Sequence, residues 1–292
     1  MQTLIRAGLI LLGQLPLPVL HAAGWLVGQL LWWTPNQLRH ITERHLELCF
    51  PQWDAARRAR VARRSLIESA KAVFEAPAIW FAPRWRLRRW LRDPAAKMRY
   101  ADARGSGRGM IWLTPHQGSW ELAGLFCAQF GPMTTLYKPQ KGAADAVILQ
   151  GRSRLPTARL VPTEARGVKA VLAALQRGEC VGILPDHDPP EGSGRFAPLF
   201  GHPAHTMDLV SKLAARSGAP VWFIIAERLS WGRGFRFRFL RAGVDISDAQ
   251  SGAAALNRGV EACIAQLPEQ YWWSYRRFRR LPAATADPYR DL

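Results

Sequence analysis

The pattern of hydrophobic positions changes twice along the chain. Residues 1–33 are almost entirely apolar, and Arg6 is the one charged residue among them. Residues 34–105 have apolar positions at helical spacing among many arginines, and residues 106–292 alternate short apolar runs with helical stretches. The pattern divides the chain into an apolar N-terminal segment and one larger domain, 34–292, which has a helical first part and an α/β core.

The N-terminal segment is long enough to cross a bilayer, which takes about 20 apolar residues. Pro16 and Pro18 interrupt it. A cleaved secretory signal is disfavoured because the basic region at its start is thin and the following residues are rich in arginine. We interpret residues 1–33 as an uncleaved membrane anchor, either one kinked span or two half-buried helices. The alternative is a buried helical hairpin of a soluble domain.

The helical part is predicted to contain two regular helices and one aromatic–basic segment. Apolar spacing predicts a helix over 36–50, and Asp54 is a good N-cap for a longer helix over 55–80. Residues 84–92 mix tryptophan and leucine with arginine. This composition is typical of a helix at the membrane interface, although a surface helix docked on the protein core has the same pattern.

The α/β core alternates strands with helices. Short apolar runs predict strands over 109–114, 134–137, 159–161, 180–184, 220–226 and 235–240. Helical periodicity predicts helices over 119–130, 144–154, 165–176, 205–217 and 249–266. We therefore predict an α/β fold, with a mixed sheet covered by helices on both faces and a helical, membrane-associated N-terminal region.

Charge and tryptophan content narrow the choice of partners. Lys and Arg number 40 against 22 Asp and Glu, so the 292-residue chain has a formal charge of +18. Such a surface attracts polyanions, among them nucleic acids, anionic lipid headgroups and acidic carrier proteins. The 13 tryptophans favour the bilayer interface. We expect an anionic membrane and no nucleic acid, and a basic nucleic-acid-binding protein is the alternative.

The cysteines and histidines do not form a recognised ligand motif. The four cysteines are scattered in apolar surroundings, as expected of buried thiols in a reducing compartment: Cys49, Cys127, Cys180 and Cys263. Residues 186–188, His202 and His205 fit no standard metal-ligand spacing. We therefore expect no disulfide, no metal and no cofactor.

The stretch TPHQGSWE at 114–121 holds the main catalytic candidates. A predicted strand ends there, the chain turns through Pro115 and Gly118, and a helix starts. Functional groups gather at such strand–helix junctions of α/β folds. If His116 lies in the turn, Glu121 can accept its imidazole N–H and fix the tautomer. The other ring nitrogen can then take a proton from a hydroxyl, so we expect a His116 general base with Glu121 as its partner.

Other residues are candidates for holding a substrate. The backbone N–H groups of Gly118 and Ser119 are candidate oxyanion donors, because a helix N-terminus favours negative charge. Ser119 lacks the sequence surroundings of a nucleophilic serine. Arg152 and Arg154 suit bidentate recognition of a phosphate or carboxylate. Asp186 is expected to orient a basic residue or an acceptor sugar.

Several blocks, in order along the chain, carry a resemblance to a known family. They are HQGSWE at 116–121, LYKP at 136–139, GR at 151–152, GILPDHD at 182–188, FAPLFG at 196–201 and PEQYWWSYRRF at 268–278. With the apolar N-terminus, they resemble the late acyltransferases of bacterial lipid A biosynthesis, the lauroyl and myristoyl transferase family. The H-x-x-x-x-D/E motif of that family matches His116 and Glu121. The resemblance covers nearly the full length of the chain.

The resemblance implies an acyltransferase at the cytoplasmic face of the bacterial inner membrane. Its donor would be acyl carrier protein, and its acceptor a hydroxyl of a lipid A precursor. By motif position, His116 would be the base with Glu121 as its partner. Arg152 would lie near the substrate headgroup, and Asp186 would belong to a D-x-D-like block. Lys138, in the LYKP block, is a further substrate-binding candidate.

Two residues depart from the family pattern. His187 stands where the family commonly has Gln or Glu between two aspartates, and Tyr275 stands where it has histidine. These departures concern the substrate more than the chemistry. An acyltransferase for another acceptor, such as a phospholipid, an aminolipid or a secondary metabolite, is therefore the main alternative. Coenzyme A is the alternative donor.

Overall fold

Two helices separated by a sharp bend form the start of the chain. The computed structural model describes residues 2–105, 107, 109–139, 142, 144–283 and 285–292. The chain bends by 115° between α1 (Gln2–Gln14) and α2 (Leu17–Trp33). The bend arises because Pro16 is extended and Pro18 lies in the first turn of α2. By length and composition the two helices could cross a bilayer only as a pair, since no single described helix meets the requirement.

Helix α2 packs closely on the long helix α4 (Ala55–Phe81). Glycine makes the close approach possible. A Cβ atom on Gly24 would lie 2.6 Å from Lys71 Cα, and one on Gly28 would lie 2.3 Å from Ile67 Cα. Helix α2 is therefore half-buried: one of its faces packs on α4 and the other is exposed.

The two regular helices predicted for the helical part are confirmed. Helix α3 (Gln37–Cys49) matches the first, and α4 matches the second. Asp54 is the N-cap of α4, and its carboxylate accepts a hydrogen bond from Arg57 N at 2.7 Å. Helix α6 (Pro94–Arg104) follows the aromatic–basic segment and leads to the sheet.

The aromatic–basic segment forms α5 (Arg84–Trp90). Leu87 and Trp90 are buried, whereas Trp85 is 65% exposed. Helix α5 is therefore a surface helix that docks on the core through one side and presents an aromatic residue on the other.

A six-stranded mixed sheet forms the centre of the α/β core. In spatial order its strands are β3 (Ala158–Pro162), β2 (Met133–Tyr137), β4 (Cys180–Ile183), β1 (Met110–Leu113), β7 (Val221–Arg228) and β8 (Phe235–Arg241). The first five run parallel, and β8 pairs antiparallel with β7. The neighbours of β1 are therefore β4 and β7, although neither is next to it along the chain.

Helices cover both faces of this sheet, as predicted. Besides the helical part, they are α7 (Trp120–Ala128), α8 (Ala144–Arg152), α9 (Ala165–Gln176), α10 (Leu209–Ser217) and α11 (Gly252–Gln266). Alternate residues of β1 belong to different hydrophobic clusters. Ile111 and Leu113 share a cluster with residues of α9, α10 and α11, whereas Met110 and Trp112 share one with residues of α7. Since strand side chains alternate between faces, the two clusters mark two covered faces.

The helix predicted over 205–217 is wrong in its first part. Strands β5 (Gly194–Leu199) and β6 (His202–Met207) form an antiparallel hairpin, and α10 begins only at Leu209. Phe200 and Gly201 connect the two strands with positive φ angles of 50° and 80°. Two successive residues of this kind make the tight turn that suits the twist of a hairpin. Residues 205–207 are not helical because they pair with β5, for example His205 with Phe196.

Candidate active site

His116 and Asp186 come together because two neighbouring parallel strands end level with each other. In the pairing of β1 with β4, Leu113 lies opposite Ile183. His116 follows Leu113 by three residues, and Asp186 follows Ile183 by three residues. Both leave the sheet at the carboxyl ends of the strands, where parallel α/β sheets hold their functional groups.

Asp186, rather than Glu121, is the hydrogen-bond partner of the His116 imidazole. Nδ1 of His116 lies 2.9 Å from Asp186 Oδ1, and His116 N donates to Asp186 Oδ2 at 2.9 Å. The expected imidazole hydrogen bond to Glu121 is therefore wrong, because Glu121 is held by partners on α4 and α8. Asp186 therefore contacts a basic residue, His116, and its predicted role in substrate binding stays a prediction.

The hydrogen bond between His116 Nδ1 and Asp186 leaves Nε2, the second ring nitrogen, available to a substrate. Burial alone would raise the pKa of the Asp186 carboxyl, but attraction to His116 and hydrogen bonds from it hold that pKa well below its usual range. An ionised Asp186 keeps the imidazole proton on Nδ1, so Nε2 carries a lone pair. Among the described residues, none hydrogen-bonds to Nε2. His116 can therefore accept a proton from a hydroxyl.

Hydrogen bonds from neighbouring elements fix the turn that carries His116. Gly118 N donates to Gln270 O at 2.9 Å, and Ser119 N donates to Ala226 O at 2.8 Å. Gly118 has a φ of 61°, and a Cβ atom on it would lie 2.2 Å from Ala226 O, so glycine is required. The expected oxyanion donors at Gly118 and Ser119 are therefore wrong, since both N–H groups are already used by these carbonyls.

The first turn of α7 offers two other N–H groups. The first intrahelical hydrogen bonds run from Leu122 N and Ala123 N to Ser119 O. The N–H groups of Trp120 and Glu121 precede them and have no acceptor in the part of the chain that the structure describes. These two groups, rather than those of the turn, are available to an anion.

Glu121 belongs to a partly buried ion pair with Arg152. Arg152 donates to Glu121 through Nε at 2.9 Å and through Nη2 at 2.5 Å, and Trp80 Nε1 donates at 3.0 Å. Burial alone would raise the pKa of Glu121, but the Arg152 charge and these hydrogen bonds lower it below its usual value. Gly151 makes the approach possible, since a Cβ atom on it would lie 2.2 Å from Trp80 Cγ.

The two residues that depart from the family pattern lie beside the base. The ring of His187 stacks on that of His116, with centroids 3.7 Å apart and planes 2° apart. Tyr275 stacks on His187 at 3.8 Å. Burial, with repulsion from His116, lowers the pKa of His187 to about 3, so its ring is neutral near pH 7. Its Nε2 atom is buried, and no described residue hydrogen-bonds to it.

The other two predicted substrate-binding residues have different surroundings. Arg154 donates to Ile79 O and, at 2.7 Å, to Ala82 O. Both of its terminal amino groups therefore hold the carboxyl end of α4, and its expected substrate contact stays a prediction. Lys138 is exposed just beyond β2, and its role stays a prediction.

Asp188, the second aspartate of the D-x-D-like block, hydrogen-bonds to β6 and to the C-terminal segment. His205 Nδ1 lies 2.8 Å from Asp188 Oδ1, and Arg279 Nε donates to Asp188 Oδ2 at 2.6 Å. Within the described ranges, no group of three or more His, Cys, Asp or Glu could hold a metal ion. The four cysteines are buried and unpaired, as expected of small apolar side chains.

Arg228, which the sequence analysis did not single out, connects the turn that carries His116 to the helical part through hydrogen bonds. It is buried and donates to Gly118 O at 3.1 Å. It also donates to both oxygens of Glu75 at 2.7 Å and to Glu68 at 2.9 Å. Glu75 in turn lies 2.8 Å from His21 Nε2. A buried polar network therefore runs from α2 through α4 to the turn beside His116.

An apolar cavity lies between α7 and the sheet, next to the Glu121–Arg152 pair. Thr114 and Trp120, which flank the catalytic turn, also line it. The rest of its lining is mainly apolar and includes Leu125, Met133, Leu136, Leu160, Ile183 and Leu184. The cavity has a volume of about 60 Å³. One side of it is polar and adjoins the candidate catalytic residues, while the remainder of its lining is apolar.

The chain is similar along its length to proteins of one family. Residues 1–280 match the bacterial lipid A biosynthesis acyltransferase family. The chain is 31% identical over 283 residues to a lipid A biosynthesis lauroyltransferase of Escherichia coli strain K12, covering 94% of this chain and 90% of that protein. A palmitoleoyltransferase of the same strain is 30% identical over 280 residues, with the same coverage of 94% and 90%.

A more distant relative shows the same relationship. The chain is 27% identical over 278 residues to a lipid A biosynthesis acyltransferase of Haemophilus influenzae, covering 92% of this chain and 86% of that protein. The resemblance carried by the ordered sequence blocks is therefore confirmed, and the chain belongs to the bacterial lipid A biosynthesis acyltransferase family.

Proposed function

We propose that this acyltransferase moves a fatty acyl chain from acyl carrier protein to a hydroxyl of a lipid A precursor, with His116 as general base and Asp186 as its partner. The observation that carries the proposal is the His116–Asp186 hydrogen bond of 2.9 Å at the carboxyl ends of β1 and β4. The neighbouring apolar cavity, of about 60 Å³, could hold only part of an acyl chain, and we propose that the chain enters there. Family membership supports acyl transfer as the chemistry.

The proposed step is a direct transfer between a thioester and a hydroxyl. Nε2 of His116 takes the hydroxyl proton as the oxygen attacks the thioester carbonyl, and Asp186 stabilises the imidazolium through Nδ1–H. The tetrahedral intermediate collapses, the carbon–sulfur bond breaks, and the imidazolium returns the proton to the departing sulfur. The products are an ester and a free thiol, so atoms and charge balance.

The charge that develops on the carbonyl oxygen needs donors. The N–H groups of Trp120 and Glu121, at the start of α7, are the proposed oxyanion donors. Arg152 is the proposed contact for an anionic group of a substrate, and Glu121 holds its guanidinium in place through Nε and Nη2. In this proposal, Glu121 acts through Arg152 and not through the imidazole.

Acyl carrier protein is the proposed donor because a basic groove lies at the far end of α7 from His116. The groove adjoins the cavity, since Gln129 and Thr157 line the groove while their neighbours Ala128 and Ala158 line the cavity. Its cationic residues are Arg84, Arg88, Arg92, Lys97 and Arg154. Such a groove attracts an acidic carrier protein more strongly than a neutral one.

The proposed acceptor is suggested by the names of the relatives. The similar proteins of Escherichia coli are named lipid A biosynthesis lauroyltransferase and palmitoleoyltransferase. We therefore propose a lipid A precursor as acceptor. The cytoplasmic face of the bacterial inner membrane is the proposed place of reaction because the ordered sequence blocks imply it by their resemblance to the family. The alternative of a different lipid acceptor rests on His187 and Tyr275, which stack beside the base and replace the residues expected from the family pattern.

A reconstituted assay tests the proposal. Purified protein is incubated with acyl carrier protein or coenzyme A carrying chains of several lengths, and with a lipid A precursor, a glycerophospholipid or an aminolipid as acceptor. We expect ester formation from the carrier protein onto the lipid A precursor, and loss of turnover in His116→Ala. Equal turnover in His116→Ala would refute the mechanism, and transfer only to another acceptor would overturn the substrate assignment.

A further inference from the structure

The outer face of α2 is apolar along its whole length. Exposed apolar residues recur at helical spacing over this face, with exposed fractions of 49% for Val19, 62% for Leu26, 62% for Leu30 and 70% for Trp33. The helix contains no Asp, Glu, Lys or Arg. The opposite face, with Leu20, Gly24 and Gly28, is buried against α4. A soluble surface rarely leaves an entire helix face apolar without a partner.

Two tryptophans from distant parts of the chain lie at the bend between α1 and α2. Trp231, at the tip of the β7–β8 hairpin, is 89% exposed. Its neighbour Gly232 lies against Pro18, where an added Cβ atom would be 2.7 Å from the proline ring. Trp85 is 65% exposed, and its neighbour Arg86 donates to Leu15 O at 2.6 Å. Both tryptophans are therefore positioned by contacts with the bend.

Trp231 also has an unusual backbone. Its φ of 58° and ψ of 31° lie in the left-handed region, which is strained for a bulky residue. An exposed side chain offsets little of this strain by packing within the protein. Strain and exposure together indicate that the ring has a partner outside the chain.

We propose that the outer face of α2, Trp85 and Trp231 form one docking face for an anionic lipid bilayer, with α2 lying in the plane of the membrane. The proposal is independent of which acceptor the enzyme uses. Tryptophan rings suit the headgroup level of a bilayer, and an amphipathic helix in the interface immerses only its apolar face.

The inner face of α2 explains why the helix lies flat. His21 is joined to buried Glu75 at 2.8 Å, Gln29 accepts from Arg63 at 3.0 Å, and Gly24 lies against Lys71. An upright α2 would carry these charged residues of α4 into the hydrocarbon, where charges are costly. A flat α2 leaves them on the aqueous side.

Cations at the edge of the docking face favour anionic lipid over a protein partner. The guanidinium of Arg63 lies 5.7 Å from the ring of Trp33, and that of Arg39 lies 4.6 Å from the ring of Trp32. Arg233 is exposed in the same hairpin turn as Trp231. Aromatic rings with arginines around them match a surface of apolar chains below a layer of phosphates.

Vesicle binding of the full chain tests the docking face. Vesicles of phosphatidylethanolamine with phosphatidylglycerol are compared with vesicles of phosphatidylcholine in flotation assays. We expect stronger binding to the anionic vesicles, and about tenfold weaker partitioning for Trp231→Ser and for the double variant Leu26→Ser, Leu30→Ser. The control Val244→Ser replaces a side chain that is also 89% exposed but lies at the other end of β8. It should bind as the wild type does.

Depth measurements test the orientation of α2. The four native cysteines are buried, so a dye can be attached selectively to cysteines introduced at Val19, Trp33, Trp231 or Val244. Val19 and Trp33 are about 21 Å apart along the helix axis, at about 1.5 Å per residue. We expect nitroxide lipids to quench the dyes at Val19, Trp33 and Trp231 at one similar depth, and to leave the dye at Val244 unquenched.

Several outcomes would overturn the inference. They are unchanged partitioning of Trp231→Ser, an unquenched dye at Trp231 in vesicle-bound protein, or different depths for the dyes at Val19 and Trp33. The test is separate from that of the reaction. His116→Ala should bind vesicles like the wild type, so absent acyl transfer with intact binding would count against the proposed function alone.

Discussion

His116 and Asp186 each stand three residues beyond a pair of register partners, Leu113 and Ile183, on adjacent parallel strands. The register of the sheet therefore determines which carboxylate reaches the imidazole. Asp186 accepts from both the backbone N–H and Nδ1 of His116. The carboxylate thus fixes the position of the main chain and the orientation of the ring together, as a preorganised base requires.

Replacing Asp186 by asparagine tests this relationship. An asparagine can donate to Nδ1 and so stabilise the tautomer that lacks a lone pair on Nε2. We expect kcat for acyl transfer in Asp186→Asn to fall by about 10²- to 10⁴-fold with a much smaller change in KM. Steady-state kinetics provide the measurement, and melting curves establish that the variant is folded.

Asp208→Asn is the matched control for that substitution. Asp208 is likewise a carboxylate in an ion pair, with Arg195 Nε at 2.6 Å, but it is only partly buried and lies at the start of α10. We expect its kcat to stay within about twofold, as for an ordinary surface ion pair. If Asp186→Asn behaved in the same way while Glu121→Gln abolished turnover, Glu121 would be the partner of the base after all.

The sequence predicted His116 as the base but paired its imidazole with the wrong carboxylate. His116 was found from its position in a strand–turn–helix junction, which is a local feature. Asp186 is 70 residues away and meets His116 only because β4 lies beside β1. The order of strands in a parallel sheet is a long-range property, and periodicity does not contain it. The one available signal was that both residues follow short apolar strands at the same offset.

The Glu121–Arg152 ion pair should behave as one unit. Arg152→Met leaves the Glu121 carboxylate without its cation, and Glu121→Gln leaves Arg152 without its main hydrogen-bond acceptor. Each change alone should lower the free energy of unfolding, or raise the activation free energy, by about 1–3 kcal/mol. We expect the double variant to lose much less than the sum of the two. Kinetics and urea unfolding of the four proteins provide the measurement, and additive losses would mean that the two residues act separately.

Gly118 should be intolerant of any side chain. In Gly118→Ala the new Cβ atom would meet Ala226 O at 2.2 Å and displace the turn that carries His116. Gly192→Ala is the control, because Gly192 has a similar φ of 73° but nothing within 4 Å of its Cβ position. We expect the control to lose about 1 kcal/mol of stability, and Gly118→Ala to lose more and to reduce kcat at least about tenfold.

An outcome in which both alanine variants lose the same stability and keep full activity would contradict this account of the turn. The comparison separates two effects, since left-handed backbone strain is common to both sites and the steric contact is present at Gly118 alone. Activity is the more sensitive measurement, because a displacement of about 1 Å at a catalytic group can cost about 100-fold in rate.

The elements that depend on neighbouring residues in the sequence were predicted correctly, whereas contacts between distant parts of the chain were not. The helices α3, α4 and α9 follow from their apolar spacing, and Asp54 fixes the start of α4. The oxyanion donors were misassigned because the carbonyls that occupy Gly118 N and Ser119 N come from residues more than 100 positions later. The burial of Arg228 could not be predicted from the sequence either, because its partners Glu68 and Glu75 lie on a helix far away along the chain.

The stacked ring of His187 should make stability depend on pH in a specific way. Its pKa is about 3 in the folded protein, lowered by burial and by His116 from an ordinary value of 6.5. Between pH 6.5 and 3 the unfolded chain therefore binds more protons at this residue than the folded one, and its contribution to stability falls as the pH is lowered. His187→Phe keeps an aromatic ring for stacking but removes this titration.

We expect the free energy of unfolding of the wild type to fall relative to that of His187→Phe by about 2 kcal/mol when the pH is lowered from 7 to 4.5. Urea unfolding at a series of pH values measures the difference, in which titrations common to both proteins cancel. At pH 7 the variant should keep acyl transfer within about tenfold, because a neutral ring still supports that of His116. Stability curves that stay parallel from pH 7 to 4.5 would mean that His187 is not held neutral by its surroundings.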